Sequence, residues 1–130
     1  MHPRNGLRLS IAVAFFAVLY SMPAAAQRYT ILHAEYGTAR NHVDVTQRLR
    51  EVARTRPRFR MGNSTFGIDP DPGRKKVLRI YARGPNGRRR MFEYPESSTI
   101  DGTMFSGWGR GDWGNGPWRG NWNGDDDDRR

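Results

Sequence analysis

The stretch "KKVLRIYARGPNGRRRMFEYPE", residues 75–96, constrains the fold of this chain more than any other. Leu78, Ile80 and Ala82 alternate with Arg79, Tyr81 and Arg83, the period of two that a pleated strand imposes. In "GPNG", Pro85 presets φ for a turn, and Asn86-Gly87 accept positive φ. "RRRMFEYPE" then supplies the returning strand. The pattern predicts an antiparallel hairpin.

Further elements follow from their periods. "RYTILHAEYG" alternates, with Tyr29, Ile31 and His33 expected on one face and Thr30, Leu32, Ala34 and Tyr36 on the other. Gly37 ends that strand. In "DVTQRLREVA", Val45, Leu49 and Val52 fall at helical spacing, and Asp44 with Gln47 reads as a capping box, with Thr46 a second candidate cap. Pro57 stops the helix after about two turns. "RFRM" is a short strand with Phe59 and Met61 inward. Together these predict a mainly β fold, a small sandwich or partly closed barrel with one short helix.

The chain divides into three stretches. Residues 1–26 carry Arg4 and Arg8, then the apolar "LSIAVAFFAVLY", then "AAA" at 24–26, the pattern of a secretory signal. The apolar run is shorter than the roughly 20 residues a membrane span needs. Cleavage after Ala26 and export to a periplasm or medium are expected, with retention as an N-terminal anchor the other reading. Residues 27–100 then form the domain, with 16 Arg and Lys against 7 Asp and Glu. Residues 101–130 form a Gly/Trp-rich tail ending in "DDDDRR", with 4 against 6. The chain has no cysteine, which removes disulfides, thiol chemistry and Cys-type zinc sites.

"DPDPG" before the hairpin admits three readings. As a calcium loop starting at Asp69, it places Arg74 where glycine is needed and Ile80 where a bidentate Glu is needed, so it fails. As an anion site, Arg74, Lys75 and Lys76 would join Arg88, Arg89 and Arg90 in one patch of about six charges. As a corner, Pro70 and Pro72 fix φ, Asp69 and Asp71 cap local N–H groups, and Gly73 frees the strand start. The corner is the simplest reading.

Ala34, Tyr36 and Gly37, then Val43 to Thr46, then Asn63, Phe66, Gly67, Asp69, Pro70, Pro72, Gly73 and Lys76, then Leu78, Ile80 and Tyr81 form one spaced set over residues 29–95. The set resembles the C-terminal domain of the DnaJ-like subfamily C member eleven proteins. That resemblance implies a small β-rich module without recognised catalytic residues. A J domain's His-Pro-Asp is missing, because His2-Pro3 is followed by Arg4.

No catalytic, cofactor or metal residues are assigned. Ser64, Thr65, His42 and Asp44 could be drawn as a hydrolase set, and Glu35, Asp44 and Glu51 as glycosidase carboxylates, but no local signature joins them. Gly density in the tail predicts disorder, with Trp108, Trp113, Trp118 and Trp122 as contacts for sugars, aromatics or a membrane surface. The expected function is a non-catalytic exported module that contacts a partner protein or an anionic envelope polymer. Carbohydrate binding through the tail is the second reading, a small hydrolase the third. Nucleic acid is electrostatically compatible but disfavoured by export.

Overall fold

The computed structural model describes residues 28–114 and Trp122. The expected signal segment, Trp118 and the aspartate run lie outside the described residues. Strands β1 (Thr30–Gly37) and β2 (His42–Asp44) precede helix α1 (Thr46–Thr55). Strand β3 (Arg58–Arg60) and the single-turn helix α2 (Asn63–Phe66) lead into the corner. Strands β4 (Val77–Arg83) and β5 (Arg89–Pro95) form the expected hairpin, and β6 (Thr99–Asp101) follows.

The fold is mainly β, as the alternation predicts. One antiparallel sheet has the order β2-β1-β4-β5, and β3 pairs with β6 in a second, two-stranded ladder. The larger sheet is open, with β2 and β5 as its edges. Its core face carries Ile31, Ala34, Tyr36, Leu78, Ile80, Ala82 and Phe92. Leu49 and Ala53 of α1, Phe59 of β3 and Ile100 of β6 cover that face. Burying this many aliphatic and aromatic side chains, at about 25 cal/mol per Å² of apolar surface, is what holds the cysteine-free chain together.

Strand β1 departs from simple alternation. Ile31 pairs with Ala82 and His33 with Tyr81, so Leu32 is an extra residue in the ladder. This bulge flips the phase. Ile31 therefore shares the core face with Ala34 and Tyr36, rather than with His33 as the alternation suggests. Leu32 joins Tyr81 and Met91 in a small cluster of its own, and the His33 ring stacks on Tyr81.

The start of α1 is also built differently from the expected capping box. Val45 occupies the N-cap without a side-chain hydrogen bond. Asp44 Oδ1 accepts from the Thr46 N–H at 2.8 Å, while Thr46 Oγ1 accepts from the Ala34 N–H at 2.9 Å. The helix is thus pinned to the middle of β1, where pairing with β2 has ended.

Residues 101–114, expected to start the tail, pack against the domain. Phe105, Trp108 and Trp113 belong to the same buried cluster as β1 and α1. Ser106 N–H donates to Tyr29 O at 2.7 Å and Gly114 N–H to Ile31 O at 2.9 Å, so this segment runs beside β1. The physical reason lies in how glycine is used. Gly102 lies directly beneath the Trp108 indole, where an added Cβ would collide with the ring. Here glycine makes room for tryptophan instead of preventing a core.

Candidate functional site

The corner ahead of β4 is a closed polar knot. Lys76 Nζ lies 2.9 Å from Asp69 Oδ1 and 3.7 Å from Glu96 Oε1, and donates to Asp71 O at 3.4 Å. Asp71 Oδ2 accepts from Thr38 Oγ1 at 2.6 Å, tying the corner to the β1–β2 turn. Its neighbour Tyr36 donates to Asn63 Oδ1 at 2.6 Å and packs on Phe66 at 4.7 Å between ring centroids. Burial pushes the Tyr36 hydroxyl well above the ordinary tyrosine range. Lys76 is buried, and the Asp69 carboxylate raises its pKa. It is therefore removed from the expected anion patch.

The two basic triplets do not meet. A hairpin brings together residues equally far from its turn, and the register pairs Val77 with Pro95 at one end and Arg83 with Arg89 at the other. Arg74 and Lys75 therefore sit a full strand length from Arg88–Arg90, on the order of 20 Å at about 3.4 Å per residue. Arg74 and Lys75 instead join Arg40, which the sequence reading missed, around an open cleft of about 580 Å³. The β1–β2 turn that brings Arg40 there closes by Thr38 N–H donating to Asn41 O at 2.9 Å. The long-range pairing of β1 with β4 left no local signal for it.

Arg88, Arg89 and Arg90 remain together at the hairpin tip. Gly84 N–H donates to Arg88 O at 2.7 Å and Gly87 N–H to Gly84 O at 3.0 Å, which fixes the turn. The three arginines, with Tyr29, Gly84, Pro85 and Asn86, line a cavity of about 310 Å³. None of those lining residues is acidic. The Arg90 guanidinium lies 4.6 Å from the Phe92 ring centre and 5.8 Å from that of Tyr29, so the aromatic surface orients it. Arg83 faces Arg89 directly across the ladder. Like charges at paired positions repel each other across a ladder. The arrangement gathers positive charge at one place.

The three described tail tryptophans expected as ligand contacts, Trp108, Trp113 and Trp122, are otherwise engaged. Trp108 donates through Nε1 to Arg56 O at 2.8 Å and stacks on Phe105 and Trp113. Trp108 and Trp113 are buried and unavailable to a sugar ring. Trp122 lies on the opposite face of the sheet. Its Nε1 donates to Glu35 Oε1 at 2.8 Å.

His42, Thr65 and Asp44, considered for hydrolysis, have structural partners. His42 Nδ1 lies 2.8 Å from Thr38 O, and Thr65 Oγ1 accepts from the Gly62 N–H at 3.0 Å. Among the described residues, no group of three or more His, Asp or Glu side chains could hold a metal ion. Likewise no described helix is long and apolar enough to cross a membrane. No protein-family model, curated protein or solved structure matches the chain.

Proposed function

We propose that this protein is a non-catalytic exported module that binds an anionic polymer through arginine at the tip of the β4–β5 hairpin. The observation that carries the reading is the pairing of Arg83 with Arg89 beside the cavity lined by Arg88, Arg89 and Arg90. Cationic charge is concentrated there by the register of the hairpin. The fork of each guanidinium suits sulfate, phosphate or carboxylate groups placed in the cavity.

The second basic cleft, at Arg40, Arg74 and Lys75, lies a strand length away. Two separated clefts favour an extended ligand with repeated charges over a single small anion. Lipopolysaccharide or another acidic envelope polymer has that chemistry, and the secretory pattern of residues 1–26 supports meeting it outside the cytoplasm.

Two features support a non-catalytic module related to the C-terminal domain of the DnaJ-like subfamily C member eleven proteins. Within the motif set, Tyr36 contacts Asn63 and Phe66, and Lys76 contacts Asp69 at the corner. Their role there is architectural. Asp44, drawn earlier as a hydrolase acid, accepts from the first N–H of α1.

Retention on heparin and on lipopolysaccharide resin tests the reading. The protein should bind at low salt and elute as ionic strength rises, because exposed charges are screened within about 10 Å at 0.1 M. R88E/R89E should elute at clearly lower salt, and R74E/K75E should weaken long polymers more than short fragments. Elution that ignores salt, or that R88E/R89E leaves unchanged, would refute the proposal.

A further inference from the structure

The face of the sheet away from the main core carries an arrangement that anion binding does not use. His33 and Glu35 of β1 are both buried there, at 6% exposure each. Glu35 pairs with Arg79 of β4 and with Asp44 of β2 across the ladder. An ionised carboxylate in the middle of a sheet face is costly unless its oxygens are hydrogen-bonded. Glu35 Oε2 lies 3.2 Å from His33 Nε2, and Oε1 accepts from the Trp122 indole N–H.

The ring of Trp122 is held as closely as its nitrogen. The His42 imidazole stacks on it at 4.5 Å between centroids, with only 12° between planes. The Arg79 guanidinium carbon lies 4.3 Å from its centre. Each of these neighbours is positioned by a separate bond. His42 Nδ1 is 2.8 Å from Thr38 O, and Arg79 Nε donates to Glu93 Oε2 at 3.0 Å. A flat cation, a flat imidazole and a carboxylate acceptor are thus fixed by strands β1, β2, β4 and β5. Such pre-positioning lowers the entropy lost when an aromatic ring enters.

We infer that Glu35, His42 and Arg79 form a binding slot for an indole side chain, occupied by Trp122 of the same chain. The occupant is favoured over other aromatic residues for a specific reason. Phenylalanine would satisfy the stacking and cation–π contacts but leave Glu35 Oε1 without its donor, and an unsatisfied buried acceptor is expensive. The slot holds Trp122 against a strand residue 87 positions away in sequence. It does so on the face opposite to the one that buries Trp108 and Trp113.

The test uses uniformly ¹⁵N-labelled full chain with W122A and W122F variants. In the unaltered protein the Trp122 indole N–H should exchange at least tenfold more slowly than that of free N-acetyl-tryptophanamide. W122A should bind added N-acetyl-tryptophanamide saturably, with shifts centred on His42 and Arg79. N-acetyl-phenylalaninamide should bind at least threefold more weakly. The unaltered protein should show neither response, and W122F should keep the fold while responding less than W122A. Rapid indole exchange in the unaltered protein, or no tryptophanamide response in a folded W122A, would overturn the slot. Equal response to both amides would overturn its indole preference. Contacts between Trp122 of one copy and His42 of another, in a mixed-label sample, would overturn same-chain occupancy.

Discussion

Lys76 Nζ lies 2.9 Å from Asp69 Oδ1, yet only 4% of the lysine side chain reaches solvent while 38% of the aspartate does. The pair is therefore asymmetric. Removing the aspartate strands a buried ammonium with Glu96 3.7 Å away, whereas removing the lysine leaves a carboxylate that water can still reach. D69A should accordingly lower the melting temperature more than K76M does. Thermal unfolding followed by circular dichroism checks the order, and a larger loss in K76M would contradict the buried-charge account.

The segment after Ile100 makes the second case. Trp108 is 7% exposed and closes the core against Phe59, Phe105 and Trp113. W108A should cost about 3–5 kcal/mol, as full removal of a buried aromatic generally does. That rivals much of the ~5–15 kcal/mol total of a small domain. G102A should also destabilise, because the new Cβ would collide with the indole. A chain ending at Ile100 should fail to fold. Urea unfolding measures the first two, and dispersion of the amide NMR spectrum the third. A well-dispersed spectrum from the shortened chain would show that the tryptophans are dispensable.

These two cases also mark what the sequence made legible. The β4–β5 hairpin and the strand at Arg58–Arg60 were readable because their signals are local: alternation, a Pro-Asn-Gly turn, a paired return. The corner was readable for the same reason. The bulge at Leu32 was not, since an extra residue shows only once β1 pairs with β4. The glycines after Ile100 carry the composition of a linker, and only the indole above Gly102 shows why they are there. For the site, three adjacent arginines were visible, but their distance from Arg74 and Lys75 depended on register. Arg40 reaches its cleft through the long-range pairing of β1 with β4, whereas the pairing of Arg83 with Arg89 is local but depends on the register that the turn sets.

Glu35 sets an acid limit. Burial alone would push its pKa up. The close contact with His33, the hydrogen bond from Trp122 and the charges of His33 and His42 outweigh that and take it from 4.5 to about 2. A depressed carboxylate adds stability above its unfolded value, and this contribution is lost as pH falls from about 4.5 towards about 2. W122A removes the indole hydrogen bond, so Glu35 should titrate at higher pH and the loss should begin earlier. Carboxyl ¹³C shifts followed alongside acid unfolding give both quantities. Titration of Glu35 near 4.5 in the unaltered protein would contradict the hydrogen-bonded geometry.

At the hairpin tip, stability and binding should move in opposite directions. Arg83 is exposed and faces Arg89 across the ladder. R83E would replace a like-charge pair by an opposite-charge one, which should stabilise the isolated protein by about 0.2–1 kcal/mol. The same change lowers the positive potential beside the cavity at Arg88–Arg90, so the salt needed for elution from heparin should fall. A residue kept only for solubility would show no such opposition. If R83E raised stability and left retention intact, the arginine pair would have no part in ligand binding. If it lowered stability, the repulsion inferred from the register would be absent.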